Sequence, residues 1–303
     1  MPTLPDSLLV LERGWLSANN ILCFDGDQAT LIDSGYVTHA EQTVALVGQA
    51  LAGRRLSRLI NTHSHSDHIG GNAALQAAFG CEITVPAGLH AVIAEWDENA
   101  LLLSPLGQQG ARFQHDKTLS AGGELEMGGL NWQAIAVPGH DMEALAYYNP
   151  EKRILISGDA LWENGFGLIF PELLGEADGI TETRATLEML ARLPIDIVIP
   201  GHGAPFSAVD EALARAFRRL DSFAANLDKM AWHAIKVLVA FAMMERQSLP
   251  ASGFAAFVQG IPFAIDVNRR YLGLADEVLV QRIEQELILV GALHLRDGLL
   301  SAK

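Results

Sequence analysis

The segment at residues 61–71, NTHSHSDHIGG, places three imidazoles and one carboxylate within six consecutive positions: His63, His65, Asp67 and His68. Zinc accepts imidazole nitrogen and carboxylate oxygen as ligands, and this spacing serves no purpose in core packing. One ion cannot easily take all four ligands from so short a loop. Two adjacent ions can, with the first two histidines on one and the Asp-His pair on the other. The spacing therefore predicts a dinuclear metal site.

Three further candidate ligands each follow a glycine after an aliphatic run: His140 in AVPGH, Asp159 in ILISGD and His202 in IVIPGHG. Such runs are typical of buried strands, and α/β proteins commonly place their sites at strand ends. With the motif, these residues give five histidines and two aspartates at one edge. Asp33, in TLIDSG, has the same placement. It is predicted to support the motif loop from outside the ligand set.

The elements that must position these residues follow one plan in two halves. The first half has strand-like runs SLLVLER, NNILCFDG, QATLIDSG and RLINTH, with a helical segment near 39–52. The second half has NWQAIAVPGH, EALAYYN and KRILISGD, followed by the amphipathic TETRATLEMLARL and the strand-like IDIVIPGHG. This order predicts an α/β (α+β) fold with two sheets face to face and helices outside, a four-layered αββα sandwich. From residue 209 the pattern becomes helical, so a catalytic domain at 1–208 and a mainly helical C-terminal domain at 209–303 are expected.

The pieces THSHSDHIGG, VPGH, SGD and PGHG resemble the motifs of the metallo-β-lactamase superfamily of hydrolases, over about residues 8–205. The resemblance implies the αββα fold and a dinuclear site, and it matches Asp33 to the family's acidic residue before the motif. Its implied ligands are His63, His65 and His140 for one metal, Asp67, His68 and His202 for the second, and Asp159 as the bridge between them.

The bridging Asp159 also distinguishes among branches of this superfamily. True β-lactamases lack that residue, whereas Asp159 resembles the bridge of glyoxalase II, lactonases and lactamase-like endoribonucleases. The sequence departs from the family at GHDMEAL, because Thr-Pro-Gly-Ser often follows the third-motif histidine there. The resemblance therefore does not identify the substrate.

The C-terminal segment VLVQRIEQELILVGALHLRDGLL resembles the recognition helix and wing of a winged-helix module. Some lactamase-like hydrolases carry such a module after the catalytic domain. The alternative is a helical cap without that ancestry, as in glyoxalase II. Because this part of the chain is charge-neutral, neither form implies DNA binding.

The charge is concentrated in the catalytic part. The chain has a formal net charge of -15, and residues 1–227, with 13 basic and 28 acidic side chains, carry all of it. A protein that relies on phosphate contacts needs the opposite sign of charge, so no nucleic-acid partner is expected.

No stretch approaches the ~20 apolar residues of a membrane span, no signal segment is visible, and the two cysteines, Cys23 and Cys81, make no disulfide framework. We therefore expect a cytoplasmic enzyme with a small-molecule substrate, and a homodimer is a candidate assembly.

These features predict a metal-dependent hydrolase that uses two Zn²⁺ ions, with iron or manganese as alternatives. A water that bridges two such ions has its pKa lowered toward ~7, and the resulting hydroxide would attack the carbonyl of a small thioester, ester, lactone or amide. Asp67 is the expected catalytic residue, which orients the hydroxide and carries its proton to the leaving group. Trp162, Phe166 and Phe170 are candidates for the mouth of the pocket, with ordinary packing as the equal alternative.

Two other activities stay open. A nuclease is one, because the same dimetal core can attack phosphodiesters, although the acidic charge disfavours it. The other is a mononuclear iron sulfur dioxygenase, which resembles glyoxalase II in sequence and uses one metal site. Metal identity and oxygen uptake distinguish this activity from hydrolysis.

Overall fold

The computed structural model of the protein describes residues 2–176 and 178–303. The strands are β1 Leu8–Leu11, β2 Asn20–Asp25, β3 Gln28–Ile32, β4 Arg55–Ile60, β5 Glu82–Pro86, β6 Lys117–Leu119, β7 Glu124–Met127, β8 Leu130–Ala136, β9 Leu145–Asn149, β10 Ile154–Gly158, β11 Ile197–Pro200, β12 Ser248–Pro250, β13 Leu293–Arg296 and β14 Leu299–Ala302. The α-helices are α1 Ala40–Leu51, α2 Ser66–Ile69, α3 Asn72–Phe79, α4 His90–Glu95, α5 Leu103–Leu106, α6 Phe170–Leu174, α7 Gly179–Leu190, α8 Val209–Ala224, α9 Leu227–Arg246, α10 Phe254–Gln259, α11 Pro262–Val267 and α12 Asp276–Leu289.

Two sheets form the layers that enclose the main core. One has the order β1-β2-β3-β4-β5-β6 and the other β11-β10-β9-β8-β7. Both contribute to a single cluster of buried side chains, with Ile32 and Ile60 from the first sheet and Trp132, Tyr147 and Ile156 from the second. Helices α1 and α3 pack together, and α3 lies on β4 and β5. The predicted αββα sandwich is confirmed.

Parallel strand pairs explain why distant polar residues meet at one edge. Strand β3 pairs parallel with β4, with Ile32 opposite Ile60, so the residues that follow both strands emerge together. In the second sheet β10 pairs parallel with β11, with Gly158 opposite Pro200. Strand β8 runs antiparallel to β9, which is antiparallel to β10. The carboxyl ends of β8, β10 and β11 therefore share one edge.

The chain divides by its contacts into two compact units, residues 1–101 with 109–221, and residues 102–108 with 222–303. The second unit is mainly helical and contains a three-stranded antiparallel sheet of order β12-β14-β13. Strands β13 and β14 form the hairpin expected around Asp297 and Gly298, both of which have positive φ. The order of α12 and this hairpin is that of a recognition helix and wing. A domain boundary after residue 208 stays a prediction, because compactness alone does not show which part folds independently.

A carboxylate of α12 ties that helix to α9 within the second unit. Glu286 accepts hydrogen bonds from Trp232 Nε1 at 2.9 Å, Lys236 Nζ at 2.7 Å and Arg282 Nε at 3.1 Å. The Arg282 guanidinium lies 4.1 Å from the Trp232 ring centroid. These donors hold the pKa of Glu286 below its ordinary value against the opposing effect of burial.

In the described part of the chain, no helix is both long enough and apolar enough to cross a bilayer.

Candidate metal centre

Three predicted ligands form one donor group at the strand edge. His63, His65 and His140 each offer a nitrogen, and the donor atoms of the group lie within 4.8 Å of one another. His65 Nδ1 lies 2.7 Å from His140 Nε2. All three rings are in mutual contact, with centroids 4.3 to 5.2 Å apart. The loop after β4 and the loop after β8 thus converge on one point.

The other four predicted ligands form the second donor group, which consists of Asp67, His68, Asp159 and His202 with donor atoms again within 4.8 Å. His202 Nε2 lies 2.9 Å from Asp67 Oδ2. Asp159 faces both groups, because its Oδ1 lies 3.4 Å from His68 Nε2 and its Oδ2 lies 3.4 Å from His140 Nε2. The structure therefore brings all seven predicted ligands together, with Asp159 between the two groups.

The hydrogen bonds around the site fix which imidazole nitrogens can bind a cation. Thr62 Oγ1 donates to Asp33 Oδ2 at 2.8 Å and so accepts from His63 Nδ1 at 3.0 Å. His68 Nδ1 donates to Asp33 Oδ2 at 2.8 Å, and His140 Nδ1 donates to the carbonyl of Leu168. In each of these three histidines Nδ1 has a partner outside the donor groups, so Nε2 is the nitrogen that faces the site.

The donor set fits divalent cations. His63 Nε2, His68 Nε2 and His202 Nδ1 are buried without a hydrogen-bond partner, although buried nitrogens normally have one. Imidazole nitrogens together with carboxylate oxygens are the ligands that zinc takes. A cation on each side of Asp159 would satisfy the Nε2 atoms of His63 and His68. The family resemblance and this geometry agree on the same residues.

Burial and neighbouring charges set the protonation states of the donors. Burial lowers the pKa of His63 well below its ordinary value, and the neighbouring His68 and His65 lower it further. Burial also lowers the pKa of His65 and of His140 to about 4. Neutral imidazoles are the form that binds metal.

The carboxylates in the second group are held ionised. Burial opposes this, but His68 and other neighbouring imidazoles lower the pKa of Asp67 and bring that of Asp159 well below its ordinary value. Burial likewise disfavours a charged His68, yet Asp159, Asp33 and Asp67 raise the pKa of His68 well above its ordinary value. The second group is thus an anionic environment that favours a positive charge.

Close packing at Gly201 keeps the second group compact. A Cβ at this position would lie 2.3 Å from Asp159 Oδ1 and 2.9 Å from His68 Cε1. The two glycines that end the motif are also packed against backbone atoms. A Cβ at Gly70 would lie 2.3 Å from the nitrogen of Val37, and a Cβ at Gly71 would lie 2.4 Å from the carbonyl oxygen of Ser34. These glycines let the loops approach more closely than any side chain would permit.

The three predicted pocket residues have different surroundings. Trp162 donates from Nε1 to Asp159 Oδ1 at 3.2 Å and contacts the His202 ring edge-on. Phe170 is buried and lies edge-on to His65 at 5.1 Å between ring centroids. Phe166 is buried beneath the guanidinium of Arg219, 5.5 Å from its ring centroid. Trp162 and Phe170 therefore contact the donor groups, whereas Phe166 contacts Arg219, and a pocket role for these residues stays a prediction.

Sequence reasoning missed four residues that contact the donor groups or their loops. Trp15 stacks on His202 with centroids 5.4 Å apart and planes at 11°. Asn19 donates from Nδ2 to the carbonyls of Pro200 and Gly203, on either side of the loop that carries His202. Thr62 lies inside the motif, and its position between strand and first histidine could have marked it. The fourth is Asp141, whose Oδ2 lies 3.4 Å from the nitrogen and from Oγ of Ser64.

The profile of the metallo-beta-lactamase superfamily matches residues 13–202, more than half of the chain. The chain belongs to the metallo-beta-lactamase superfamily. Its histidine and aspartate donor groups are suited to a divalent metal ion.

Curated relatives of the chain include two kinds of hydrolase. It is 32% identical to the hydroxyacylglutathione hydrolase of Hyphomonas neptunium over 115 residues, which are 38% of this chain and 38% of that enzyme. The chain therefore matches less than half the length of such relatives. It is 28% identical to the probable metallo-hydrolase YqgX of Bacillus subtilis over 206 residues, 65% of this chain and 90% of that protein.

Solved structures share the fold. A metallo-beta-lactamase family protein of Thermus thermophilus superposes with a TM-score of 0.61 at 17% identity, covering 99% of this chain and 100% of that one. The B3 metallo-beta-lactamase BLEG-1 superposes with a TM-score of 0.57 at 22% identity, covering 68% of this chain and 96% of that one. At these identities the likeness concerns the fold alone.

Proposed function

We propose that the chain is a dinuclear zinc hydrolase that cleaves a small thioester, ester, lactone or amide. The observation that carries this proposal is the pair of adjacent donor groups that share Asp159. His63, His65 and His140 would hold one ion, and Asp67, His68 and His202 the other. A carboxylate placed between two donor groups is the arrangement expected for two cations rather than one.

Divalent cations bound in this way would supply Lewis acidity, which polarises a carbonyl and makes water acidic enough to ionise near neutral pH. The protein's own part begins with Asp67. Its carboxylate lies at the edge of the second donor group, and the hydrogen bond to His202 fixes one oxygen. The ionised carboxylate would accept a proton from water and then donate it to the leaving group. No serine or cysteine nucleophile is required.

The substrate class follows from the surroundings of the site and from the relatives. Several relatives carry the name hydroxyacylglutathione hydrolase, which suggests the hydrolysis of an acyl compound for this chain as well. The acidic residues 1–227 disfavour a polyanion. Trp162 offers an aromatic surface beside Asp159. We therefore propose a small, largely apolar carbonyl compound as substrate and no nucleic-acid partner, with the cytoplasm as location and a homodimer as the candidate assembly.

Elemental analysis of the purified chain, followed by turnover of matched thioesters, esters, lactones and amides, tests the proposal. We expect about two ions per chain, zinc as the metal that restores activity after chelation, and hydrolysis of at least one carbonyl class. A His63→Ala variant should lose both an ion and the turnover. One bound iron with oxygen uptake on a persulfide substrate, and no carbonyl hydrolysis, would replace this proposal with the dioxygenase.

A further inference from the structure

Trp15 is a large, exposed side chain in direct contact with a proposed metal ligand. The residue is 56% exposed, although its ring stacks on His202 with centroids 5.4 Å apart and planes only 11° apart. Its edge also contacts Trp162 at the same centroid separation, with the planes at 69°. One side of the ring is thus fixed against a candidate ligand while much of the rest faces solvent. An exposed indole surface beside a candidate ligand is a place where a flat substrate group could stack.

The loop that carries Trp15 is built into the site rather than resting on the surface. The nitrogen of Ala18 donates to the carbonyl of Asp67 at 3.0 Å, and the nitrogen of Asn19 donates to the carbonyl of Gly201 at 2.7 Å. The Asn19 amide adds bonds of 2.9 and 2.7 Å to the carbonyls of Pro200 and Gly203. Ala18 and Asn19 are buried. The loop of Trp15 is therefore fixed by the two loops that carry Asp67 and His202.

The two ends of the site present different aromatic surfaces. Near the three-histidine group, Phe170 contacts His65 and His140 but is 5% exposed, so its ring has no free face. Near the four-donor group, Trp162 is held by its bond to Asp159 and supports Trp15 from the side. Only Trp15 among these three combines ring contact with a ligand and a large exposed surface. A substrate group could stack there without any rearrangement of the core.

We infer that the exposed face of Trp15 is a subsite for a planar, apolar group of the substrate, on the His202 side of the site. This inference rests on the proposed hydrolase function and narrows its substrate class to carbonyl compounds that carry an aromatic or similarly flat neutral substituent. Flat apolar groups stack favourably on an indole. The net acidic charge of residues 1–227 disfavours an anionic substituent on the surface around the site.

The test compares two ligands that share a metal-binding head and differ by one ring. Phenylacetohydroxamate and acetohydroxamate are titrated into the zinc-loaded protein, and the ratio of their dissociation constants is measured. We expect wild type to favour the phenyl compound about tenfold, Trp15→Ala to lose most of that preference, and Trp15→Phe to keep most of it. The control is Leu289→Ala, at a residue that is 84% exposed in the second unit, and it should keep the wild-type ratio. Zinc content should be unchanged in all three variants.

Equal affinities of the two hydroxamates for wild type would overturn the subsite. A Trp15→Ala variant that weakens the binding of both hydroxamates by the same factor would also overturn the subsite, because Trp15 would then only cover His202. Turnover of phenylacetyl and acetyl thioesters is measured in parallel. Absence of hydrolysis across the whole panel of thioesters, esters, lactones and amides, together with a Trp15-dependent phenyl preference in binding, would refute the hydrolase proposal and support the subsite. Hydrolysis together with a phenyl preference that survives Trp15→Ala would support the hydrolase proposal and refute the subsite.

Discussion

Asp33 Oδ2 accepts a hydrogen bond from His68 Nδ1 at 2.8 Å, and both side chains are buried. The same carboxylate accepts from the nitrogen of Thr62 at 2.9 Å and from Thr62 Oγ1 at 2.8 Å. Asp33 itself has φ of 55°, a left-handed conformation that aspartate tolerates better than most residues. Three donors on one carboxylate connect the end of β3 to the motif loop and orient both His63 and His68.

Asp33→Asn should weaken metal binding without unfolding the chain. The amide has one acceptor oxygen and an NH₂ group that must face at least one of the three donors, so the hydrogen bonds that orient His63 and His68 cannot all form. Loss of such a supporting residue typically costs ~10–100-fold in metal affinity. Competition with a chromophoric zinc chelator measures the effect. Asp27→Asn, at an exposed position between β2 and β3, is the control. Wild-type zinc affinity in Asp33→Asn would contradict the positioning role.

Gly201→Ala should damage the second donor group selectively. The added methyl would lie 2.3 Å from Asp159 Oδ1 and 2.9 Å from His68 Cε1, so Asp159 must move from its place between the two groups. We expect one ion per chain to be lost or bound at least ~10-fold more weakly, together with most of the turnover. Elemental analysis after dialysis measures this loss. Gly253→Ala, whose Cβ would meet its nearest neighbour at 3.6 Å, is the matched control. Two tightly bound ions in Gly201→Ala would show that the close packing there is not needed.

The location of the ligands could be predicted from the sequence because each follows a readable strand. Aliphatic runs ahead of His140, Asp159 and His202 mark the ends of β8, β10 and β11, and strand direction then brings those ends to one edge. The layered fold followed from the same pattern of strands and helices. The hairpin at Asp297 and Gly298 was also readable, because this pair favours positive φ.

Contacts made by irregular loops could not be predicted in this way. Trp15 lies far from His202 in the sequence, and nothing in RGWLSANN shows which loop it will cover. The carbonyl of Leu168 fixes the His140 tautomer through a backbone group that no residue type reveals. Residues 102–108 group with the C-terminal unit through contacts that periodicity does not encode. Periodicity identifies faces and strand ends, whereas loop positions depend on the assembled fold.

Asp67→Asn should keep the fold and lose most of the turnover. The amide can still bind a cation through its oxygen, but it cannot accept a proton at neutral pH. Loss of a single proton-transfer group typically costs ~10²–10⁴-fold in rate. The measurements are kcat on the best carbonyl substrate and zinc content in the same preparation. Asp210→Asn, at the exposed start of α8, should behave as wild type. A fully zinc-loaded Asp67→Asn protein with wild-type kcat would rule out Asp67 as the proton carrier.

The metal-loaded chain should hydrolyse carbonyl compounds and leave RNA intact. Both reactions suit a dimetal core, so the residues around it decide between them. A nuclease must hold several phosphates, each usually through Lys or Arg, yet residues 1–227 contain 13 basic against 28 acidic side chains. Of those basic residues, Arg54 donates to backbone carbonyls at Gly26 and Leu51, and Arg153 pairs with Asp196.

The measurement is a competition between a thioester and lactone panel and labelled single-stranded RNA, at low and moderate salt. We expect carbonyl turnover that changes little with salt, because a neutral substrate releases no counterions on binding. RNA should remain uncut at both salt concentrations. His63→Ala is the control for contaminating nuclease, since any cleavage that it retains does not come from this site. RNA cleavage that falls steeply with salt, disappears in His63→Ala and occurs without carbonyl hydrolysis would establish the nuclease instead.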